Sequence, residues 1–270
     1  MPDDGVILRK EGPVAVVTLD RPTRRNAFDE KMWSDLERVV SELRADPPRA
    51  VIVTGAGDQA FCAGFDVSLE NPQVVRLSEA IHQKDLTSLR DLIQYIRGVI
   101  DGLVNLPVPV IAALNGLAYG GGAELACRCD LRVMDPAAVI CFSEVRLGLM
   151  PDWGGGVGLT RLLGPSKAAD LILTARPVPA DEAFQIGLVN RISAPGRARA
   201  EALNLAATIA RNGPRAVRLA LEVIRRTPDL SCQAALSHES ERAAALIASG
   251  ECLHGIAAFL AKQTPEFPEP

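Results

Sequence analysis

The sequence of 270 residues contains few aromatic side chains and no surplus of positive charge. Phe, Trp and Tyr make up only 4% of a chain that is 48% hydrophobic, so the core must consist mostly of aliphatic side chains and alanine. The formal net charge is −4, so no overall positive field would attract nucleic acid or an anionic membrane surface. We therefore expect a globular protein of one large domain, or one domain with a small appended part, that binds neither nucleic acid nor membrane.

The sequence also lacks the residue spacings of a metal site. The closest cysteines, Cys127 and Cys129, form a CRC pattern rather than CxxC, and the three histidines lie far apart. We expect no metal ion, and we expect all six cysteines to be reduced, buried small side chains. The opening stretch, MPDDGVILRK, has no apolar segment of a signal peptide, and no apolar run approaches the length of a bilayer span. These features predict a cytoplasmic protein.

Short apolar stretches alternate with helical patterns over roughly the first half of the chain. The stretches that favour buried strands are residues 14–19, 50–54, 108–114 and 131–134. Apolar residues at helical spacing predict a helix that ends near Asp46, a second over residues 89–103, and a third that opens at a glycine run, residues 120–122. This alternation favours an α/β fold with parallel strands and right-handed crossovers.

The chain after Pro165 has a different pattern. The segments that predict helices are residues 166–174, 180–186, 198–211, 214–226 and 232–262. Alanine-rich stretches, such as residues 243–245, suit close packing of these helices on the core or on another subunit. The last third of the chain is therefore interpreted as a helical extension.

Two turns combine glycine with residues capable of chemistry. The first reads AFCAGFD over residues 60–66 and the second YGGGAE over residues 119–124; each comes after a predicted buried strand. Such turns present free backbone N–H groups where α/β proteins bind ligands, and these donors bind phosphate or stabilise an oxyanion. Phosphate is the weaker interpretation, because GGGAE lacks the lysine of a Walker loop and the third glycine of GxGxxG. The alternative is that the glycines only allow tight packing of helix on strand.

Two glutamates stand in apolar stretches close to these turns. Glu124 lies at the start of the helix that the glycines open, and Glu144 lies in VICFSEVRLG. A pair of carboxylates in apolar surroundings beside backbone donors indicates general acid and base catalysis. The alternatives are that Glu124 is an exposed first-turn residue favoured by the helix dipole, and that Glu144 forms an ion pair with Arg146 or Arg161.

The order of these motifs resembles that of a known family. AFCAGFD, PVIAALNG, GGGAELA, FSEVRLGLMP and AFQIGLVN (residues 183–190) are similar, in order and spacing, to the enoyl-CoA hydratase/isomerase, or crotonase, superfamily. The resemblance covers nearly the whole chain. It implies an α/β fold in which a spiral of repeated ββα units, residues 1–195, carries the acyl-CoA site. It further implies that a helical region, residues 196–270, covers the active site and builds homotrimers, often paired into hexamers.

The resemblance also implies roles for residues of the two turns. The substrate is an acyl-CoA thioester whose carbonyl lies between two backbone N–H groups, here those of Phe65 and Gly121. In hydratases of the family, one glutamate activates the water that adds at the β-carbon and a second delivers the α-proton; the matching residues are Glu124 and Glu144. Because both glutamates are present, the sequence predicts a 2-enoyl-CoA hydratase. No cofactor is implied, since coenzyme A is part of the substrate.

The coenzyme A end of the site is implied by position. Ala63 and Asp66, in the loop around the first donor, would hold the adenine mainly through backbone atoms. Arg24 and Arg25, in RPTRRNA, would lie where a basic side chain meets the coenzyme A phosphates. The alternative for these two residues is a solvated pair of arginines.

Asp152 and Trp153, in MPDWGGG, come after the second glutamate. Asp152 is similar in position to a catalytic aspartate of some isomerases of the superfamily; the alternative is an N-cap or turn residue. Trp153 and Gly120 complete the predicted substrate-binding set, and the polar residues 67–85 are expected to form part of the acyl pocket. Two other functions stay open: an enoyl-CoA isomerase that uses Glu144 or Asp152, and a non-catalytic acyl-CoA-binding protein.

Overall fold

The computed structural model describes residues 5–268, so the outermost residues of the two predicted regions lie outside it. Its strands are β1 (Gly5–Glu11), β2 (Val14–Asp20), β3 (Ala50–Gly55), β4 (Ala60–Cys62), β5 (Val110–Leu114), β6 (Leu117–Tyr119), β7 (Leu131–Met134), β8 (Val139–Cys141), β9 (Val178–Pro179) and β10 (Arg191–Ile192). Its α-helices are α1 (Glu30–Ala45), α2 (Pro72–Gln83), α3 (Leu86–Val104), α4 (Gly121–Arg128), α5 (Gly155–Leu163), α6 (Pro165–Thr174), α7 (Ala180–Gln185), α8 (Ala198–Ala210), α9 (Pro214–Arg226), α10 (Cys232–Ala248) and α11 (Glu251–Ala261).

The strands form two sheets. The larger has the order β1-β2-β3-β5-β7-β10, and its neighbours are parallel except that β1 runs antiparallel to β2. The smaller has the order β4-β6-β8-β9, in which β9 is antiparallel to β8. These pairings confirm the predicted α/β fold.

The two sheets are joined by a repeated ββα unit. In β3-β4-α2, β5-β6-α4 and β7-β8-α5, the first strand lies in the larger sheet, the second in the smaller sheet, and a helix comes next. The repeat implied by the family resemblance is therefore confirmed, although the sequence shows no internal similarity. Because β4, β6 and β8 are parallel neighbours, the segments after them leave the smaller sheet at one edge.

Both faces of the larger sheet are covered. Val51 and Val53 of β3 belong to the main hydrophobic cluster, whereas Ile52 belongs to a second cluster to which α8 contributes Leu205 and Ala206. Successive side chains of a strand point to opposite faces, so a strand that is apolar throughout must be buried on both. α8 lies beyond residue 195 and still packs on the sheet of the core. The predicted boundary between the core and the helical region at residue 195 therefore stays a prediction.

The segment predicted to be helical, residues 232–262, forms two helices, α10 and α11, with a bend of 70° between them. Gly250 lies at the bend with φ of +76°, a conformation that glycine adopts without steric cost. No single helix within residues 5–268 is long and apolar enough to cross a bilayer; α10 and α11 would be so only if taken together. The two helices expose the large apolar side chains of Leu236, Ile247, Leu253, Ile256, Phe259 and Leu260.

None of the six cysteines forms a disulfide, and all lie within the described part of the chain. Cys62, Cys127, Cys129 and Cys141 are buried as expected, and burial raises the pKa of the first three to about 12. The expectation of burial is wrong for Cys232, which is exposed, and for Cys252, which is half-buried. Among residues 5–268, no group of three or more His, Cys, Asp or Glu side chains is placed to hold a metal ion.

Candidate active site

The two glycine turns lie side by side because they come after neighbouring strands. β4 and β6 pair in parallel, with Cys62 opposite Ala118. A β-carbon placed on Gly64 would lie 2.9 Å from the Gly121 nitrogen, closer than real β-carbons come to other atoms, and 3.0 Å from the Tyr119 oxygen. The backbone of the first turn therefore contacts the backbone of the second, and glycine is needed at the point of contact.

The N–H group of Phe65 points away from the segment beside it. Phe28 donates its N–H to the Gly64 oxygen at 2.7 Å and accepts the Asp66 N–H at 2.9 Å. In a parallel pair, a residue that bonds to both neighbours of its partner leaves the partner's own N–H directed to the opposite side. Gly121 is the first residue of α4, where N–H groups have no partner within the helix. Secondary structure therefore leaves both predicted donors unused.

Steric constraints require glycine at each position of the run 120–122. Gly120 has φ of +53° and ψ of −127°, a conformation that residues with a β-carbon rarely adopt. A β-carbon on Gly121 would lie 2.5 Å from the Trp153 ring, and one on Gly122 would lie 2.1 Å from the Cys62 oxygen. Tight packing, the alternative to a binding role, thus accounts for part of the run. It coexists with the unused N–H group of Gly121, whereas the Gly120 N–H donates to the Cys141 oxygen at 2.9 Å.

Glu124 is fully buried in the first turn of α4, so the alternative of an exposed glutamate is wrong. Its Oε2 accepts the Gly155 N–H at 2.7 Å, and its Oε1 accepts the Asp152 N–H at 3.2 Å. Both donors favour the ionised form of the carboxylate. Sequence reasoning missed them because they lie 28 and 31 residues further along the chain.

Glu144 comes after β8, opens a 3-10 turn, Glu144–Leu147, and is 8% exposed. A β-carbon on Gly120 would lie 3.8 Å from Glu144 Oε1, so the carboxylate borders the glycine run. Neither carboxylate oxygen has a hydrogen-bond partner among the described residues. The ion-pair alternative is wrong, since Arg161 pairs with Asp229 at 2.7 Å and no arginine in the described chain pairs with Glu144. Glu144 is thus a buried acid whose oxygens stay available.

The carboxyl groups of Glu124 and Glu144 are coupled. Burial is the main cause that raises the pKa of Glu124, its interaction with Glu144 raises that pKa further, and the Gly155 N–H opposes the shift. Burial is also the main cause that raises the pKa of Glu144, and its interactions with Glu124 and with its own backbone N–H oppose that shift. Two interacting carboxyl groups in a dry site do not both ionise near neutral pH, so the pair holds one proton between them. Such a pair contains one acid and one base at the same time.

Asp152 lies in the loop that holds Glu124, and its side chain is solvent-accessible. Nearby protein atoms remove part of the hydration of its carboxyl group and raise its pKa, and the negative charge of Glu144 raises that pKa further. The N-cap part of the alternative is wrong, because the N-cap of α5 is Gly154 and no side chain caps this helix, whereas a turn residue before the glycines agrees with the position of Asp152. Asp152 is therefore a third acid within electrostatic reach of both glutamates.

Trp153 packs inside the protein, against the turn that carries the second donor. It is 3% exposed, and its ring centroid lies 5.6 Å from that of Phe28 and 4.8 Å from that of Trp33. The close approach of this ring to Gly121 leaves no room for a side chain there. Most of the Trp153 side chain therefore packs against other residues of the protein, and it directly supports the backbone of the turn at Gly121.

Arg24 and Arg25 lie beside the first turn. Ala63 donates its N–H to the Arg25 oxygen at 3.0 Å, which ties the two segments together. Arg24 forms an exposed ion pair with Glu70 and Arg25 is exposed, so the alternative of two solvated arginines describes both residues in the free protein. Exposed ion pairs add little stability, so both guanidinium groups can reorient toward an anion.

Asp66 has a structural role that its position in the motif did not reveal. Its carboxylate forms an ion pair with Arg21 at 2.7 Å, and both side chains are largely buried. Its N–H donates to the Phe28 oxygen, and its carbonyl accepts the side-chain amide of Asn71 at 2.7 Å. The backbone N–H and carbonyl groups of Asp66 are thus already bonded within the chain.

Sequence reasoning missed Arg21 and Arg128 because their partners are distant along the chain. Arg21 bonds to Asp66, 45 residues away, and Arg128 donates to the Trp153 oxygen, 25 residues away. The available signal for Arg128 was an arginine in the last turn of an otherwise apolar helix. Arg21 carried a weaker signal, since an arginine before a proline is common in turns.

Comparisons with known proteins agree with this geometry. The family model described as enoyl-CoA hydratase/isomerase matches residues 9–270. The chain is 39% identical over 252 residues to the short-chain-enoyl-CoA hydratase of Clostridium acetobutylicum, covering 92% of this chain and 89% of that one. It is 34% identical to the crotonyl-CoA hydratase of Syntrophomonas wolfei, with 98% of each chain covered. The crystal structure of enoyl-CoA hydratase from Bacillus anthracis matches with a TM-score of 0.88 at 32% identity, over 98% of this chain and 99% of that chain. The chain therefore belongs to the enoyl-CoA hydratase/isomerase family.

Proposed function

We propose that the protein is an enoyl-CoA hydratase that adds water across the 2,3 double bond of a 2-enoyl-CoA thioester. The observation that carries this proposal is the buried, coupled pair of Glu124 and Glu144 beside the glycine run. Hydration needs one group that accepts a proton from water and another that gives a proton to carbon, and a pair that holds one proton supplies both. The names of the relatives, a short-chain-enoyl-CoA hydratase and a crotonyl-CoA hydratase, support a short acyl group.

The N–H groups of Phe65 and Gly121 bind the thioester oxygen in this proposal. Addition of water at the β-carbon moves negative charge onto that oxygen, and each preorganised donor typically stabilises such a transition state by about 3 kcal/mol. The contact of Gly64 with Gly121 supports this role, because it holds the two turns at a fixed separation. Gly120 has no side chain that would obstruct the approach of the thioester.

Glu124 acts as the base and Glu144 as the acid. The N–H groups of Asp152 and Gly155 favour the ionised form of Glu124 against its burial, and burial favours the protonated form of Glu144. The water oxygen bonds to the β-carbon while its proton passes to Glu124, and the proton of Glu144 passes to the α-carbon. The proton on Glu124 must then return to Glu144 before the next turnover.

The coenzyme A part binds along the first turn. Arg24 and Arg25 contact its phosphates, and the half-buried Ala63 borders the adenine. Both arginines are exposed, which supports their contact with a ligand. Asp66 contributes indirectly, since its ion pair with Arg21 holds the loop in place. Hydration changes no oxidation state of the protein and needs no cofactor, because coenzyme A arrives as part of the substrate.

The assembly and the compartment are inferred from other features. The exposed apolar side chains of α10 and α11 support a homotrimer, or a dimer of trimers, in which these helices are covered. Six cysteines without a disulfide support a reducing compartment, and we propose the cytoplasm.

The test is the formation of 3-hydroxybutyryl-CoA from crotonyl-CoA. Glu124→Gln and Glu144→Gln keep the shape of each side chain but remove proton transfer, so each should lower kcat by about 10²–10⁴-fold. Glu251→Gln is the matched control, because Glu251 is another buried glutamate that accepts two backbone N–H groups, those of Arg215 and Ala216. It should lose stability and keep its activity.

Two outcomes of this test would contradict the proposal. Full activity in both glutamine variants would show that the assigned roles are wrong. A wild-type protein that binds crotonyl-CoA without any loss of the absorbance of the conjugated thioester would instead support the non-catalytic acyl-CoA-binding alternative.

An enoyl-CoA isomerase is the second candidate function. The observation that favours it is the electrostatic interaction of Asp152 with Glu144, which brings a third acid to the site. An isomerase removes one proton and returns it to a different carbon, so it needs a single acid-base group and no added water.

A further inference from the structure

Loop 152–155, which leads into α5, packs on one face of α4. A β-carbon on Gly154 would lie 2.9 Å from Arg128 Nη1, and one on Gly155 would lie 2.3 Å from Glu124 Cγ. Glu124 and Arg128 are four residues apart, so their side chains lie on the same face of the helix. The two glycines therefore let the loop lie directly on these two charged side chains.

The loop and the helix bond to each other in both directions. The N–H groups of Asp152 and Gly155 donate to the Glu124 carboxylate, and Arg128 Nη1 donates to the Trp153 oxygen at 2.7 Å. The carbonyl that Arg128 holds thus lies between the two N–H donors along the chain. Because a peptide group is planar, holding this carbonyl fixes the peptide group between Trp153 and Gly154, which restricts the path of the chain between the two N–H donors.

Arg128 is itself held from α3. Its Nη2 donates to Asp101 Oδ1, and its side chain is only 15% exposed. A guanidinium group carries several donors in one rigid plane, so it can bind a carbonyl and a carboxylate at once, which a lysine cannot do with the same geometry. Asp101 also lies 3.7 Å from Arg97 of the same helix. Neither Arg128 nor Asp101 contacts a reacting atom in the proposed mechanism.

We propose that Arg128, oriented by Asp101, is a positioning residue for Glu124. It holds the Trp153 carbonyl so that the N–H groups of Asp152 and Gly155 converge on the Glu124 carboxylate. The inference rests on the proposed hydratase function in that it takes Glu124 as the base. The contacts themselves do not depend on which reaction the site performs.

The charged groups around Glu124 determine how its pKa responds when the loop is released. Glu144 acts on it from the turn after β8 and Asp152 from the loop, and both oppose its ionisation. The Cys127 thiol of α4, whose pKa burial raises to about 12, is uncharged near neutral pH. The Gly155 N–H opposes the raised pKa of Glu124, and the Asp152 N–H donates to the other oxygen of the same carboxylate, so both loop N–H groups favour ionised Glu124. If the two loop N–H groups lose their alignment, the pKa of Glu124 rises. On acidification, Glu124 is then protonated at a higher pH, and the activity that needs ionised Glu124 is lost there.

The experiment compares hydration of crotonyl-CoA by the wild type, Arg128→Met, Arg128→Lys and Asp101→Asn. We expect kcat of Arg128→Met to fall by about 10–100-fold, because small displacements of a catalytic group have effects of this size, while KM changes little. The acidic limb of its pH profile should move to higher pH. Arg128→Lys should restore part of kcat, and Asp101→Asn should change kcat and the profile less, in the same direction as Arg128→Met.

Arg225→Met is the matched control for a structural effect. Arg225 is another partly buried arginine that joins a carboxylate, that of Asp130, to a backbone oxygen, that of Leu106. It should lower stability without moving the pH profile. If Arg128→Met fails to fold, the Arg128→Lys and Asp101→Asn variants still carry the test.

A measurement that does not depend on turnover separates this inference from the proposed function. Carbon-13 NMR titration of protein labelled at the glutamate carboxyl carbon, with the Glu124 signal assigned by its loss in Glu124→Gln, should give a higher pKa in Arg128→Met than in the wild type. An unchanged pKa and pH profile, with a kcat loss no larger than that of Arg225→Met, would overturn the inference. A wild type that does not hydrate crotonyl-CoA would overturn the hydratase, whereas a raised Glu124 pKa in Arg128→Met would still support the positioning role.

Discussion

At the scale of single residues, the three acids of the site differ in what surrounds them. Glu124 is buried and accepts two backbone N–H groups, Glu144 is buried without a partner in the described chain, and Asp152 is solvent-accessible. Surroundings of this kind separate the protonation states of neighbouring acids and so assign their roles.

Replacing Asp152 by asparagine distinguishes the hydratase from the isomerase. In the hydratase, Asp152 supplies only a repulsive charge, so Asp152→Asn should hydrate crotonyl-CoA with a rate close to that of the wild type. In an isomerase that uses Asp152, the same change should slow conversion of a 3-enoyl-CoA to the conjugated 2-enoyl-CoA by about 100-fold or more. Both rates can be followed by the absorbance of the conjugated thioester, with Asp170→Asn, an acid of an exposed ion pair, as control. Isomerisation that persists in Asp152→Asn would exclude Asp152 as its acid-base group.

At the scale of elements, α4 is a short helix whose two ends are both held by contacts with other parts of the chain. At its carboxyl end, the buried Arg132 of β7 donates to the oxygens of Ala126, Cys127 and Cys129, and its Nε donates to the Leu188 oxygen. A cation there complements the negative end of the helix dipole and satisfies carbonyls that lack partners within the helix. The site therefore depends on a helix that long-range contacts hold, since eight residues alone do not form a stable helix.

Arg132→Met should lower the free energy of unfolding by about 2–4 kcal/mol, because it leaves several buried carbonyl groups without a donor. Urea denaturation measures this loss. Arg191→Met is the control, because Arg191 forms only an exposed ion pair with Glu201 and should change stability by about 0–1 kcal/mol. Equal losses in the two variants would contradict a role for Arg132 in closing α4.

The sequence predicted the elements whose patterns are local. The buried strands β3 and β5, the amphipathic α1 and the glycine-led α4 lie close to their expected positions, and Glu124 and Glu144 are buried as their apolar neighbours indicate. The break at Gly250 was missed because a single glycine is tolerated within a helical pattern. The contacts of Arg128 and Arg21 were missed for a different reason: they join segments that only the folded chain brings together.

At the scale of the whole molecule, α11 presents apolar surface that this single chain does not cover. Phe259 is 82% exposed and Leu260 is 75% exposed, which is unusual for side chains of their size. If a second copy covers this face, Phe259→Glu should shift the protein from a trimer or hexamer toward a monomer, measured by light scattering on a sizing column. Leu86→Glu, which alters another exposed apolar residue at the start of α3, is the control and should leave the mass unchanged. The same mass for Phe259→Glu and the wild type would contradict a subunit interface at α11.

The unpartnered carboxyl group of Glu144 has a consequence for how this chain has been selected. A buried acid next to a second buried acid disfavours folding, and an apolar side chain of similar volume would make the chain more stable. Selection for stability alone would therefore replace Glu144, unless selection for catalysis retained it. At this position, the residue that catalysis requires differs from the residue that would be most stable. Chains evolved in the laboratory without selection for activity should therefore lose Glu144 early.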